Sequence, residues 1–279
     1  MWSEVIQEAK NKVIKFSCFV AGTLVHTRKG LRPIEQIKVG DYVLSKPESG
    51  IGEPSYQRVT RTFEHEDQEV YLMRWLVRNA ADMDTGVYGH MVATGDHQIW
   101  VKDLKDHHGG EWDMDERLTK VNAWMSIEYL YMLHLEKYWK EDSNGTGIYP
   151  QVELFDGQIA DMFKVVPILQ SADPNIGVGF GDDVFWRNNG SGVEVLFSDK
   201  GPVLQFKGIN RPIEKHLDIE LTLDYDYTGY DYDNEWSVAS RSGGFLPIRR
   251  KVFNIEVENN HSYYVAEAGV WVNNTCDPE

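Results

Sequence analysis

The sequence predicts an all-β fold, and three observations carry that expectation. Residues from Cys18 to about Val101 fall into short runs rich in Val, Thr, Tyr, Trp and Ile: LVHT, YVLS, VTRTF, EVYLMRWLV and HMVATGDHQIWV. Turn-forming stretches, RKG, VGD, PESGIGEPS and DTG, stand between them. The last segment, KVFNIEVENNHSYYVAEAGVWVNN, returns to the same alternation, and VFNIEVE with SYYVAEAGVWV reads as a final hairpin. Many short strands at this spacing fit an all-β domain and not a parallel α/β one.

The elements come in chain order. MWSEVIQEAKNKVIKF reads as a short amphipathic helix with Trp2, Val5, Ile6, Ala9 and Val13 near one face. It has no continuous apolar stretch and no small-residue cleavage site, so it is not read as a signal peptide. Within the β region, LRPIEQI has Pro33 at a first helical turn and Gly40 beyond it, which fits one short helical turn. From about Lys102 to Ser240 the text changes. AWMSIEYLYMLHLEKYW carries a helical stripe of Trp124, Ile127, Leu130, Tyr131 and Leu135, read mainly as core. A β-like VELFDGQIADMFKVVPIL, a loop rich in Gly and Asp, and more strand-like text come next, with no internal repeat.

Composition bounds the function. The 279 residues suffice for one large domain or two small ones, and at 42% hydrophobic they can bury a core. The formal net charge of -16 argues against a nucleic-acid partner, because phosphate binding rests on a basic surface. No run of 18 or more apolar residues is present, so no membrane helix is expected. Two cysteines, Cys18 and Cys276, cannot form a disulfide framework. The abrupt ends suggest an excised piece of a longer chain.

Four features together suggest chemistry on the chain itself: Cys18 at the head of a strand, Thr94-Gly95-Asp96-His97 read inside a strand, His261 before SYYV, and Asn273-Asn274-Thr275 near the end. A cysteine thiol can attack the carbonyl of the preceding residue, here Ser17, and convert the Ser17–Cys18 amide to a thioester. That step needs a group to protonate or orient the leaving nitrogen and another to hold the oxyanion. Thr94 and His97 supply a hydroxyl and an imidazole at fixed spacing. An asparagine can attack its own backbone carbonyl through its side-chain nitrogen, which would cut Asn274–Thr275. His261 is the imidazole placed to assist.

These residues carry a resemblance. CFVAGTLVHTRKGLRPIEQIKVGDYVLS resembles the opening block of the Hint (Hedgehog/intein) family, most of all its bacterial intein-like and pretoxin-Hint branch. ATGDHQIWV resembles the second block, and VFNIEVENNHSYYV and GVWVNNTC resemble the last two. The four ordered blocks cover roughly residues 18 to 101 and 251 to 274. The resemblance implies a horseshoe-like all-β fold with both junctions at one centre. It implies a Hint domain over 18–274, interrupted by a large mixed insertion at about 102–245 that is open to being a subdomain. Residues 1–17 would then be an N-terminal flank and 275–279 the start of a C-terminal one.

By motif position, Cys18 would be the N-terminal nucleophile. Thr94 and His97 would activate the first acyl shift, with Asp96 in support. His261 and Asn274 would carry C-terminal cleavage beside Asn273, and Thr275 would take the acyl group if splicing completed. The implied activity is a single-turnover, self-cleaving or splicing reaction with no cofactor. Its substrate would be the chain's own flanks, with a C-terminal toxin or effector as cargo and neither nucleic acid nor membrane as partner. The setting would be the bacterial cytoplasm, or export as part of a larger secreted protein.

The sequence also departs from the family pattern. Asn273 stands where the family usually has His, and an amide cannot shuttle protons near neutral pH. Asn254 stands where the third block often has Asp, and Thr275 is a weaker nucleophile than Cys. Cleavage is therefore the safer expectation than efficient splicing. The alternative is a Hint-shaped module that no longer reacts and serves as a binding or scaffold domain. A Cys18–Cys276 disulfide would block the nucleophile. In LDYDYTGYDYDNE, residues 223–235, Asp224, Asp226, Asp231, Asp233 and Glu235 are weak metal candidates; a hairpin without metal is the preferred reading.

Overall fold

One strand serves as the spine of the sheet. Ser55–Asn79, β5, runs for 25 residues and pairs in turn with four other strands. It contains neither Gly nor Pro, so nothing in it forces the strand to end. The expected strands VTRTF and EVYLMRWLV are thus one. The polar EHEDQ between them stays in the ladder, with a bulge where Asp67 takes a φ of 59°, because β14, Arg249–Val257, lies alongside with cations to match. Lys251 meets Glu64 at 2.7 Å and Glu66 at 3.1 Å, and Arg249 meets Glu69 at 2.8 Å. Such cross-strand pairs on an exposed face are individually weak, and several in a row help keep a polar stretch in register.

The computed structural model describes residues 17–79, 82–108, 115–139, 147–170, 173–179, 193–198, 200–206 and 246–274. The expected N-terminal helix, the acidic residues Asp224, Asp226, Asp231, Asp233 and Glu235, and both Thr275 and Cys276 lie outside these residues. Ahead of the spine come β1 (Phe19–Val20), β2 (Leu24–Thr27), β3 (Gly30–Pro33) and β4 (Tyr42–Ser45). The short helical turn expected in LRPIEQI is there, at Ile34–Gln36. After the spine come β6 (Asp82–Thr94), β7 (Gln98–His108) and β8 (Asp115–Ser126). Helix α1 (Ile127–Trp139) and strands β9 (Gly147–Glu153) and β10 (Ile159–Gln170) are next. Then come β11 (Ile176–Gly179), β12 (Val193–Ser198), β13 (Gly201–Phe206), β14 as above, β15 (Ser262–Val265) and β16 (Val270–Asn273). The strands form one antiparallel sheet, as an all-β fold requires, and β5 pairs with β10 as well as β6 where the sheet curls back on itself.

Four local expectations are corrected. DTG does not turn the chain; it lies within β6, where Gly86 sits opposite Arg78. A Cβ at Gly86 would stand 2.4 Å from Leu76 Cδ1, so the glycine makes room for a neighbour. VFNIEVE does not hairpin with SYYV. It pairs with β5 and β1, and the closing hairpin joins β15 to β16 from Ser262↔Asn273 to Val265↔Val270. Between them Asn259 and His261 take φ of 64° and 49°, which turns the chain out of one ladder and into the next. Thr94–His97 is not inside a strand either: Thr94 ends β6, Gly95 and Asp96 form a turn, and Gln98 begins β7. The helix begins at Ile127, with Ala123–Ser126 still in β8 opposite Gln98–Val101. Ser126 Oγ accepts the Tyr129 N–H at 3.2 Å, the N-cap that starts it.

Residues from the middle of the chain share the core with those from its ends. β9 pairs with β7 and β10 with β5, so Val152 lies opposite Val101 and Met162 opposite Trp75. Trp75, Met162, Val152 and Ile127 belong to the same buried cluster as Phe19, Tyr263 and Val272. Trp75 fits because its cross-strand partner is Gly89, where a Cβ would stand 2.3 Å from the indole. Gly89→Ala should therefore lower stability by about 1–3 kcal/mol in urea titrations. In a Trp75→Leu background the same change should cost under about 1 kcal/mol, because the clash is with the ring.

Candidate functional site

Two short pairings bring the chain's ends to one place. β1 lies between β14 and β6, with Phe19 opposite Ala93. β16 lies against β7, with Asn273 opposite Gln98. Ala93 and Gln98 flank a single turn, so Cys18, just before β1, and Asn274, just after β16, are held on either side of Thr94–His97. Ser17, Cys18, Thr94, His97, Asn254, Asn273 and Asn274 are all buried.

At the N-terminal side, the Cys18 N–H donates to Thr94 Oγ1 at 2.9 Å, and the Thr94 N–H donates to the Cys18 carbonyl at 2.9 Å. The Thr94 hydroxyl also lies 3.4 Å from that carbonyl oxygen. Thr94 thus grips the amide nitrogen that would leave in an acyl shift. The Ser17 hydroxyl donates to the Asp96 carbonyl at 3.2 Å, so Asp96 supports the site through its backbone. The Cys18 side chain has no exposed surface.

His97 packs its ring 4.0 Å from that of Phe19 and has no exposed surface. Burial pushes its pKa down to about 3, because an imidazolium there would lose its hydration. The Ser17 backbone offsets part of that fall, although neither ring nitrogen makes a well-formed hydrogen bond. At neutral pH His97 is a neutral base facing the peptide bond that precedes Cys18.

At the C-terminal side, the Asn274 N–H donates to the His261 carbonyl at 2.7 Å. His261 itself is exposed, and its contribution among these contacts is that backbone carbonyl, aimed by its left-handed φ of 49°. Asn273 Nδ2 donates to Glu48 Oε2 at 3.4 Å, while Asn273 Oδ1 is buried without a partner.

A single carboxamide joins the two sides. Asn254 Nδ2 donates to the Ser17 carbonyl, in a short contact, and to Asn274 Oδ1 at 3.0 Å. Asn254 Oδ1 accepts from the Tyr263 hydroxyl at 2.6 Å and from the Ile255 N–H at 2.7 Å. The orientation is fixed by chemistry. A backbone N–H can only donate and a backbone carbonyl can only accept, so Nδ2 must face Ser17 and Oδ1 must face Ile255.

No protein-family model matches the chain, and no curated protein matches it. Three solved structures similar to it are inteins or intein-like domains. One is a bacterial intein-like domain from Clostridium thermocellum, at 14% identity and a TM-score of 0.41 over 94% of this chain and 100% of that one. Another is a DnaB intein from Synechocystis sp. PCC 6803, at 7% identity and 0.40 over 93% and 99%. The third is the gp41-1 intein, at 12% identity and 0.39 over 92% and 98%. At such scores these likenesses carry no weight for the chemistry, which rests on the site's own geometry.

The structure brings together Cys18, Thr94, Asp96, His97, Asn273 and Asn274 as the sequence motifs require, and attaches His261 through its backbone. Thr275 lies outside the described residues. Among the described residues no group of three His, Cys, Asp or Glu side chains could hold a metal ion. Asn254 is the residue whose positive role sequence reasoning missed, although a polar side chain amid the apolar alternation of VFNIEV was a signal that it faces something polar. Tyr263, which holds Asn254, gave none.

Protonation of His97 should couple to folding. Its folded pKa lies below the unfolded 6.5, so the unfolded state binds the extra proton between pH 6.5 and about 3. Stability is full above 6.5 and is lost as pH falls through that window, by an amount on the order of 4 kcal/mol at its lower end. Thermal melts of the Cys18→Ala chain across pH 7 to 4 should fall more steeply than those of the same chain carrying His97→Gln.

Proposed function

We propose that this chain is a self-processing element of the Hint type that opens the peptide bond before Cys18 and cuts the one after Asn274. The observation that carries the reading is the Asn254 carboxamide, which holds the Ser17 carbonyl and the Asn274 side chain at once. A fold with only a structural use for its ends has no need to bury two scissile positions on one amide.

In the first step the Cys18 Sγ–carbon bond forms at Ser17 and the Ser17–Cys18 C–N bond breaks, leaving a thioester and a free Cys18 amine. Asn254 Nδ2 already donates to the oxygen that becomes the oxyanion. Neutral His97 takes the thiol proton and returns one to the departing nitrogen, which Thr94 Oγ1 keeps in place. In the second step Asn274 Nδ2 bonds to its own backbone carbonyl carbon and gives up a proton, the bond to Thr275 breaks, the Thr275 nitrogen gains a proton and leaves as an amine, and a succinimide remains. Asn254 holds Asn274 Oδ1, which fixes the orientation of the carboxamide.

Support is stronger at the N-terminal junction, where Thr94, His97 and Asn254 converge. The C-terminal junction has Asn254 and the His261 carbonyl, with the imidazole of His261 exposed and Asn273 in the penultimate place. We therefore assign the slower step to Asn274, and cleavage in preference to efficient splicing. The released cargo would be the polypeptide beyond Asn274 in the complete protein; the family resemblance makes a bacterial toxin or effector the natural class.

A reporter fused after Glu279, with intact mass as the readout, tests this. A product beginning at Thr275 that disappears in Asn274→Ala is expected. Thiol-induced release of residues 1–17 should be lost in Cys18→Ala. Asn254→Ala should slow that release by about 10²–10³-fold, the usual effect of deleting an oxyanion donor. A wild-type fusion that stays whole with and without thiol would end the catalytic reading.

A further inference from the structure

The turn that carries Thr94 and His97 is not held by the four motif segments alone. Two of its carbonyls, those of Gly95 and His97, are tied down by the first turn of α1, which lies outside all of those segments. The Ile127 N–H donates to the His97 carbonyl at 3.0 Å, and the Glu128 N–H donates to the Gly95 carbonyl at 2.8 Å. These are amides that a helix cannot satisfy within itself, and here their acceptors belong to the turn. The third is taken by Ser126 Oγ, so each donor at this helix start has its own acceptor. From the opposite side Tyr71 of the spine closes on Gly95. A Cβ at Gly95 would stand 2.9 Å from the Tyr71 ring and 3.4 Å from Glu128 Cβ.

We infer that the start of α1, with Tyr71, is a clamp that positions the Thr94–His97 turn for the N-terminal acyl shift. The middle of the chain thereby contributes to the reaction without touching the reacting atoms. Ile127 and Glu128 act through their backbone amides, and Gly95 is required because the clamp leaves no room for a side chain. The geometry makes the effect directional. His97 and Thr94 serve the Ser17–Cys18 bond, whereas Asn274 is held by Asn254 and His261. A loosened clamp therefore affects the first junction and spares the second. This inference rests on the self-processing reading for its activity, and on the placement of His97 for its structural part.

A matched pair of variants isolates the amide. Ile127→Pro and Ile127→Ala both delete the buried side chain, but only proline removes the N–H. Proline is tolerated at the first position of a helix, where it leaves the rest of the ladder intact. In the full chain with a C-terminal reporter, thiol-induced release of residues 1–17 should be about tenfold slower in Ile127→Pro than in Ile127→Ala. Cleavage after Asn274 should be equal in the two. Equal release in both variants, or equal slowing at both junctions, would overturn the clamp. If either Ile127 variant fails to fold, Gly95→Ala takes its place. It should slow N-terminal release, and Tyr71→Ala, which vacates the space, should restore it relative to Tyr71→Ala alone; no restoration would count against the clamp. A readout free of activity comes from NMR titration of the His97 ring in the Cys18→Ala chain. Its midpoint should rise toward 6.5 in Ile127→Pro and stay low in Ile127→Ala. A shift there with an inert wild-type fusion would mean that the clamp stands and the self-processing reading fails. An unmoved midpoint with an active wild type would mean the reverse.

Discussion

The structure turns on one buried carboxamide. Asn254 has two hydrogens and two lone pairs to place in a dry interior, and leaving any of them unmet costs roughly 1–3 kcal/mol. Its acceptor side is filled by Ile255 N–H and Tyr263, which fixes the group by bonds that cannot reverse. Its donor side is then left with two acceptors from the far ends of the chain, the Ser17 carbonyl and Asn274 Oδ1. The meeting of the ends is thus more than a product of topology. Separating either end would strand a polar group of Asn254 in the core.

The sheet supplies the approach. β14 carries Asn254 and pairs with β1, so the register Phe19↔Phe253 places Ser17 near position 254 by strand geometry alone. β15 carries Tyr263 and pairs with β16 through Ser262↔Asn273, which places Asn274 one residue beyond. The VENNH turn links these strands, and its left-handed residues set how far apart they lie. His261 fits this account as a backbone element. Its unusual φ directs the carbonyl that receives Asn274 N–H.

Much of this was legible in the residues, and the gaps have physical causes. Cys18, Thr94, His97 and Asn274 could be picked out because few side chains can do nucleophilic, proton-transfer or cyclisation chemistry, so their types narrow the choice. The strands were legible where aromatic and β-branched residues run together, as in SYYV and VWVN. The turn at Gly95–Asp96 was hidden because strand-like text flanks it closely on both sides, MVA before it and IWV after it. Gly86 misled for the opposite reason: a glycine that makes room for Leu76 looks in sequence like one that makes a turn. The helix start was displaced to Ile127 because Trp124 and Met125 suit a strand as well as a helix, and the Ser126 cap decides the matter locally. Least legible of all were the α1 amides on the turn. Every residue but proline carries that donor, so no residue type marks it.

The polar groups at the centre are neutral in the ground state. Asn254 and Asn273 stand where the resembling family favours Asp and His, and burial keeps His97 uncharged near pH 7. A neutral site avoids the desolvation cost that a buried carboxylate or imidazolium would impose on folding. The same economy would make the proposed reaction demanding, because the thiol proton and the new negative charge must both find partners in a dry interior. In the proposed reaction the proton would pass to His97 as the carbon–sulfur bond forms, and the negative charge would appear on the oxygen that Asn254 already holds. Placement therefore matters more to this site than charge. That is why a turn fixed to a helix, and a carboxamide fixed to a tyrosine, are features that the chemistry needs.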